Sequence, residues 1–241
     1  MAKFNTNGNV YTIVYASVIV IIVAFLLAFV SSSLKPTQDA NVAIDKKQQI
    51  LASLNIRGVE KADVQARFAE AIQQDMIYDI ASTDVIDEGK SETKDQAGFK
   101  VASKEMKEKR PFYVANIDGA TKYVIPVTGA GLWGGIWGYI ALDDDCETVF
   151  GTYFSHESET AGLGARITED WFQESFIGKK LHADGKEGIA LSVVKKGKEG
   201  NISPDNYVNG VTGATLTSNG VNDMIQKGLG AYQDILDTYK K

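Results

Sequence analysis

Residues 11–30 limit what this chain can fold into more than any other segment. They include no charged residue and no proline, and thirteen of the twenty are Ile, Val, Leu or Phe. At about 1.5 Å rise per residue, a helix of that length spans about 30 Å, the thickness of a bilayer's hydrocarbon core. At roughly −0.3 to −0.6 kcal/mol for each apolar residue, insertion gains at most about 4 to 8 kcal/mol. The rival reading is a cleaved signal peptide, whose apolar core runs about 7–15 residues behind a basic leader. Here the run is longer and only Lys3 precedes it. The segment is read as a single transmembrane helix, with residues 1–10 a short cytoplasmic N-terminus.

Charge sets the expected orientation. Lys3 and the terminal amine stand on one side of the span, and Lys35 followed by Asp39 on the other, while Asn5, Asn7 and Asn9 carry no charge. The positive-inside tendency places the N-terminus in the cytoplasm and the C-terminal domain on the outer face of the membrane. The net charge of −6 argues against nucleic acid as a partner. A lone cysteine, Cys146, leaves no intramolecular disulfide to form. The roughly 200 remaining residues suit one soluble domain with a helical stalk.

Beyond the span, residues 45–54 and 61–80 show helical spacing, the first in Ile50, Leu51 and Leu54, the second in Val64, Phe68, Ile72, Met76 and Ile77. Residues 84–110 are highly charged and read as a solvated insertion, partly strand or helix. Strands are expected from 111 to 154, with a hairpin turn at Asp118-Gly119 between two strand-like runs. A short helix is expected over 169–176, a strand over 189–194, and a closing helix whose apolar positions repeat from Val221 to Tyr239. The fold class is α+β: residues 31–110 form a stalk and charged insertion, and 111–241 a domain with a twisted, mainly antiparallel sheet and flanking helices.

Three segments carry chemistry. Thr212-Gly213-Ala214-Thr215-Leu216-Thr217-Ser218 places a glycine and several hydroxyls where the closing helix begins. Gly213 lets the backbone turn sharply and approach a ligand, and unsatisfied N–H groups with the positive dipole end favour an anion there. The same residues also suit a simple hydroxyl cap, worth about 1 kcal/mol. Gly129-Ala130-Gly131-Leu132-Trp133-Gly134-Gly135 either passes close under a flat ring, with Leu132 and Trp133 as apolar surface, or is a glycine-bent strand with core tryptophans. His156-Glu157-Ser158-Glu159-Thr160-Ala161-Gly162-Leu163-Gly164 supplies acceptors and loop N–H donors to a heteroaromatic ring.

Alternatives stay open at several positions. His156 suits a turn-stabilising hydrogen bond or a place beside a cofactor; a metal role is disfavoured, because no second His or Cys stands at ligand spacing. The run Asp143-Asp144-Asp145 lacks a calcium-loop pattern and reads as a solvated turn. Arg166 either stabilises a reduced anion or pairs with Glu169. No metal ligand and no general base is assigned.

The hydroxyl run resembles the Ser/Asp-Gly-Ala-Thr-x-Thr/Ser signature of covalent FMN-binding domains, in which FMN is joined through its phosphate to the last hydroxyl. Thr212 departs from that signature while keeping a hydroxyl. The copy at Asp118-Gly119-Ala120-Thr121-Lys122-Tyr123 has Tyr where the acceptor would stand. The segment at His156 is similar to the family's His-x-x-Glu-Thr-x-Gly-Leu-Gly, and Lys47-Gln48-Gln49-Ile50-Leu51 just after the span resembles the C subunit of bacterial Na+-translocating NADH:quinone reductases. In this order, the segments resemble the C-subunit family of bacterial Na+-translocating NADH:quinone reductases. The G subunit of Rnf-type ferredoxin:NAD reductases is the nearest alternative; a non-redox anchored scaffold is another.

The resemblance implies covalent FMN on Thr217. Gly131, Leu132, Trp133, His156, Glu159, Thr160, Leu163 and Gly164 would lie about the ring, and Thr212, Gly213, Ala214 and Thr215 about the phosphate. It further implies an electron relay within a membrane complex that oxidises NADH, reduces quinone and exports Na+, with other membrane subunits as partners and a separate flavin transferase for maturation. The chain carries no nicotinamide-binding glycine fingerprint of its own.

Overall fold

A computed structural model describes residues 8–89 and 92–240. Lys3, Asn5 and Asn7, on which half of the orientation reading rests, lie outside the described residues. The chain divides into two compact units, Met1–Asp45 and Lys46–Lys241.

The first unit is helical. Helix α1 runs Asn9–Ser53, longer than the apolar run, and continues through Pro36. Residues 9–42 are all exposed, including the apolar side chains of the span. An apolar helix that buries none of its surface against protein, and satisfies its backbone internally, suits a hydrocarbon solvent. The helix is long and apolar enough to cross a membrane.

The second unit starts with the last two turns of α1, where Ile50 and Leu51 are fully buried. Helix α2 (Val64–Ala71) follows, then strands β1 (Ile72–Asp79), β2 (Val85–Glu88), β3 (Lys109–Ile117), β4 (Ala120–Ala130), β5 (Gly135–Leu142) and β6 (Val149–His156). These six form one antiparallel sheet in the order β2-β1-β3-β4-β5-β6. Helix α3 (Asp170–Glu174), strand β7 (Ser192–Val194), strand β8 (Tyr207–Asn209), helix α4 (Thr215–Gly230) and helix α5 (Gln233–Tyr239) complete the chain, with β7 and β8 paired in parallel. The architecture is the expected α+β.

The helical reading of 61–80 holds only as far as Ala71. Ile72, Met76 and Ile77 lie in β1, which pairs with β3 on one side and β2 on the other. Ladder bonds on both edges and burial of Met76, Ile77 and Tyr78 outweigh a spacing compatible with either state. The charged stretch 84–110 is not wholly solvated. Ala97, Phe99 and Val101 are buried, and the buried Asp75 carboxylate accepts from the N–H groups of Ala97 (2.9 Å) and Phe99 (2.8 Å). Lys47 forms a 2.6 Å ion pair with Asp95 of the same stretch, while Gln49 accepts from the Trp137 indole N–H at 3.0 Å. The segment after the span thus ties α1 to the sheet.

The hairpin turn is as expected. Asp118 and Gly119 have φ of +52° and +84°, both in the left-handed region, and Ile117 pairs directly with Ala120. The acidic run is a turn as well: Asp145 accepts from the N–H groups of Glu147 and Thr148, although Asp143 also pairs with the buried Lys122 at 2.6 Å. The single closing helix expected to Tyr239 is instead two. Gly228 brings α4 against Val127, where an added Cβ would stand 2.7 Å from Cγ1, and the chain breaks before buried Tyr232 donates to the Pro111 carbonyl at 3.0 Å.

Candidate functional site

The Thr212–Thr217 turn is built by glycine geometry. Gly213 has φ +84°, and an added Cβ there would meet Leu163 Cδ2 at 3.1 Å. Helix α4 then begins at Thr215, with Ala214 in the cap position and no side-chain cap hydrogen bond. The hydroxyl-cap reading therefore fails. Thr217 donates elsewhere, and the Ser218 hydroxyl accepts from the Val211 N–H at 3.0 Å. A sixteen-residue helix with uncapped N–H groups presents a positive end to an anion.

The other two segments converge on this helix start. At the end of β6, His156 Nδ1 accepts from the Glu159 N–H at 3.2 Å, which is the turn-stabilising role. Glu159 is 7 % exposed, and both its carboxylate oxygens are occupied. Oε1 accepts from the Trp133 N–H at 2.8 Å, and Oε2 accepts from the Thr217 hydroxyl at 2.6 Å. Burial pushes the Glu159 carboxyl up, but hydrogen bonds from Thr217, Trp133 and Leu132, with His156 nearby, outweigh it and hold the group below the usual carboxylate range.

Glycines make that approach possible. A Cβ at Gly164 would lie 2.4 Å from Glu159 Oε2 and 2.5 Å from Thr217 Oγ1, and one at Gly131 would lie 2.4 Å from Glu159 Oε1. Gly220 of α4 sits as tightly against the Ala130 carbonyl. The glycines at Gly131 and Gly164 thus admit the Glu159 carboxylate, a closeness within the protein that the flat-ring reading did not foresee. Trp133 is no core residue, being 66 % exposed; the Ser158 hydroxyl donates to its carbonyl at 2.8 Å.

A cavity of about 210 Å³ opens beside the Glu159–Thr217 pair, lined by Leu132, Thr160, Leu163, Gly164 and the Gly213–Thr217 run. Leu132, Leu163 and Leu216 are exposed at its wall. Of the expected residues, Leu132, Glu159, Thr160, Leu163, Gly164, Gly213, Ala214, Thr215 and Thr217 line this one cavity. Gly131 and His156 stand behind it as neighbours of Glu159, and Trp133 is bonded to Glu159 through its backbone.

Thr212 lies elsewhere, in a second cavity of about 240 Å³ that shares Gly213 and Thr215 and is also lined by Lys195, Lys196 and Ser218. The two lysines escaped the sequence reading; a cation pair directly after a strand near the hydroxyl run was the available signal. Arg166 pairs with Glu169 at 3.1 Å and lies over the Trp171 ring, the surface alternative of the two. Among the described residues no group of three or more His, Cys, Asp or Glu is placed to hold a metal.

Comparison with known proteins places the domain and the chain in a family. Residues 131–230, which hold the His156 and Thr212 segments whole and the glycine-rich segment from Gly131 onward, match the FMN-binding domain family. The chain is 33% identical to the C subunit of the Na(+)-translocating NADH-quinone reductase of Haemophilus ducreyi, over 95% of this chain and 93% of that protein. It is 29% identical to the corresponding protein of Pseudomonas aeruginosa, over 94% and 93% of the two chains. The crystal structure of the C subunit from Parabacteroides distasonis superposes with a TM-score of 0.71 at 35% identity, over 84% of this chain and 96% of that one.

Proposed function

Because this chain belongs to the C-subunit family of the Na+-translocating NADH-quinone reductase, we propose that it is the membrane-anchored, flavin-carrying electron relay of such a complex, with FMN esterified through its phosphate to Thr217. The observation that carries this reading is the convergence of Glu159, Gly164 and Thr217 on the cavity at the uncapped start of α4. The residues present fit the group. Helix N–H groups favour its phosphate, the missing Cβ of Gly164 leaves room for Glu159 and Thr217 to meet at the cavity, and Leu132, Leu163, Leu216 and Trp133 offer exposed apolar surface to a flat ring.

When bound, FMN supplies reversible electron uptake and release, which no side chain of this domain can provide. The protein holds and orients it. An ester at Thr217 keeps the flavin from dissociating, so electrons move through the protein while the cofactor stays. The other subunits of the complex supply the nicotinamide and quinone sites. α1 anchors the chain in the lipid bilayer, with the flavin domain on the outer face of the inner membrane, and a separate transferase attaches the flavin.

The test is production of the full chain with and without a flavin transferase. The co-produced protein is expected to be yellow and to keep flavin fluorescence on a denaturing gel, and the protein made alone to be colourless there. A colourless co-produced protein contradicts the reading.

A further inference from the structure

Forming a phosphoester on a threonyl hydroxyl requires that the hydroxyl lose its proton as its oxygen attacks phosphorus. Free FMN is a phosphate monoester, and condensing it with an alcohol in water runs uphill. The donor must therefore carry the FMN phosphoryl group on a leaving group, as a phosphoanhydride does. In such transfers catalysis comes from positioning and from electrostatic stabilisation of the phosphoryl group, with a carboxylate placed to take the proton of the attacking hydroxyl.

We infer that Glu159 is the proton acceptor for flavin attachment to this chain: it takes the proton from Thr217 Oγ1 through Oε2 while that oxygen attacks the FMN phosphoryl group of a phosphoanhydride donor. This inference rests on the attachment reading above. In the step, the bond from Thr217 Oγ1 to phosphorus forms and the anhydride bond to the leaving phosphate breaks. The electron pair departs with the leaving phosphate, the proton passes to Glu159 and then to water, and nothing is oxidised or reduced.

The geometry supports this role at each point. The hydroxyl already donates to Oε2 at 2.6 Å, so no rearrangement is needed to bring base and nucleophile together. Oε1 is held by the Trp133 N–H at 2.8 Å, and the Glu159 N–H is held by His156 at 3.2 Å, so the carboxylate cannot swing away. Gly164 makes room for both reacting groups, since any Cβ there would fall within 2.5 Å of each. The pair is nearly closed to solvent, with Glu159 7 % and Thr217 1 % exposed, yet both line the cavity. Hydrogen bonds from Thr217, Trp133 and Leu132 outweigh burial and hold the group below the usual carboxylate range, so it is ionised at neutral pH.

The experiment measures initial rates of attachment for full-length wild type, Glu159→Gln and Glu159→Asp, each purified flavin-free, then mixed with transferase and flavin adenine dinucleotide. Product is read by intact mass and in-gel fluorescence over an acid-to-neutral pH series. Glu159→Gln keeps the size and the Trp133 contact, and its rate is expected to fall about 10²- to 10⁴-fold. The ratio of wild-type to Gln rates cancels the transferase's own pH dependence. It is expected to collapse as pH falls through the depressed Glu159 value, because the protonated wild type then resembles the variant.

A Gln variant labelled at the wild-type rate overturns the inference, as does a slowed variant whose ratio to wild type is flat with pH, the mark of a structural role. If the Gln variant does not fold, Glu159→Asp decides. Attachment with its acid limb displaced from that of wild type supports the inference, and an unchanged limb overturns it. Wild type that takes up no flavin sinks the attachment reading itself, whereas labelled wild type beside an equally fast Gln variant sinks only the role of Glu159.

Discussion

Replacing Thr217 with valine is expected to remove all flavin fluorescence from a denaturing gel and to leave the co-produced chain at its unmodified mass. Valine has nearly the volume of threonine, so the change deletes an oxygen and little else. Thr217 is 1 % exposed in the first turn of α4, and its hydroxyl donates to the buried Glu159 carboxylate. Removing that donor leaves one carboxylate oxygen without its partner, at a cost of about 1–3 kcal/mol in stability.

That cost has a definite pH dependence. A carboxyl held below its unfolded value contributes stability that is present above the unfolded value and is lost as pH falls through the folded one. The stability gap between flavin-free wild type, made without the transferase, and flavin-free Thr217→Val should therefore be full at neutral pH and narrow in acid. Thermal melting at the two pH values, beside gel fluorescence, checks both parts. Undiminished fluorescence in the valine variant contradicts the assignment of the acceptor.

The second large effect belongs to the core. Phe112 of β3 is fully buried, with ring centroids at 5.7 Å to Tyr78, 5.8 Å to Tyr123, 5.3 Å to Tyr239 and 6.5 Å to Tyr232. These rings come from β1, β4, α5 and the break before α5, so one side chain joins four parts of the fold. Phe112→Ala is expected to cost about 3–5 kcal/mol, the transfer of a phenyl ring plus the cavity left behind. Against a typical domain stability of about 5–15 kcal/mol, this is a large share. Denaturant unfolding of the full chain in detergent, followed by tryptophan fluorescence, measures it; a loss under about 1 kcal/mol contradicts the role given to this ring.

What could be read from the chain alone follows the range over which each cause acts. The span announces itself through composition over residues 11–30, and the Asp118-Gly119 turn through two adjacent residues with positive φ. β1 escaped because its strand character comes from pairing with β3 and β2, neither of which its own spacing reveals. The break between α4 and α5 falls just before Tyr232, whose hydroxyl bonds the carbonyl of Pro111, a distant part of the sequence.

The site divides in the same way. Its residue types were legible as motifs, but the bond from Thr217 to Glu159 joins positions 58 residues apart and depends on the missing side chain of Gly164. Lys195 and Lys196 were missed because a cation pair after a strand is a weak signal until the fold brings it to the cavity that Thr212 lines. The hydroxyl run also reads as a cap until the backbone places Ala214, which has no hydroxyl, in the cap position.

The central claim is a single ester bond, and mass spectrometry of the peptide bearing Thr215 and Thr217 tests it most directly. From full-length protein co-produced with its transferase, that peptide is predicted to be heavier by one FMN less one water, with fragment ions placing the added mass on Thr217. The same peptide at its unmodified mass, or with the flavin on Thr215, would contradict the account.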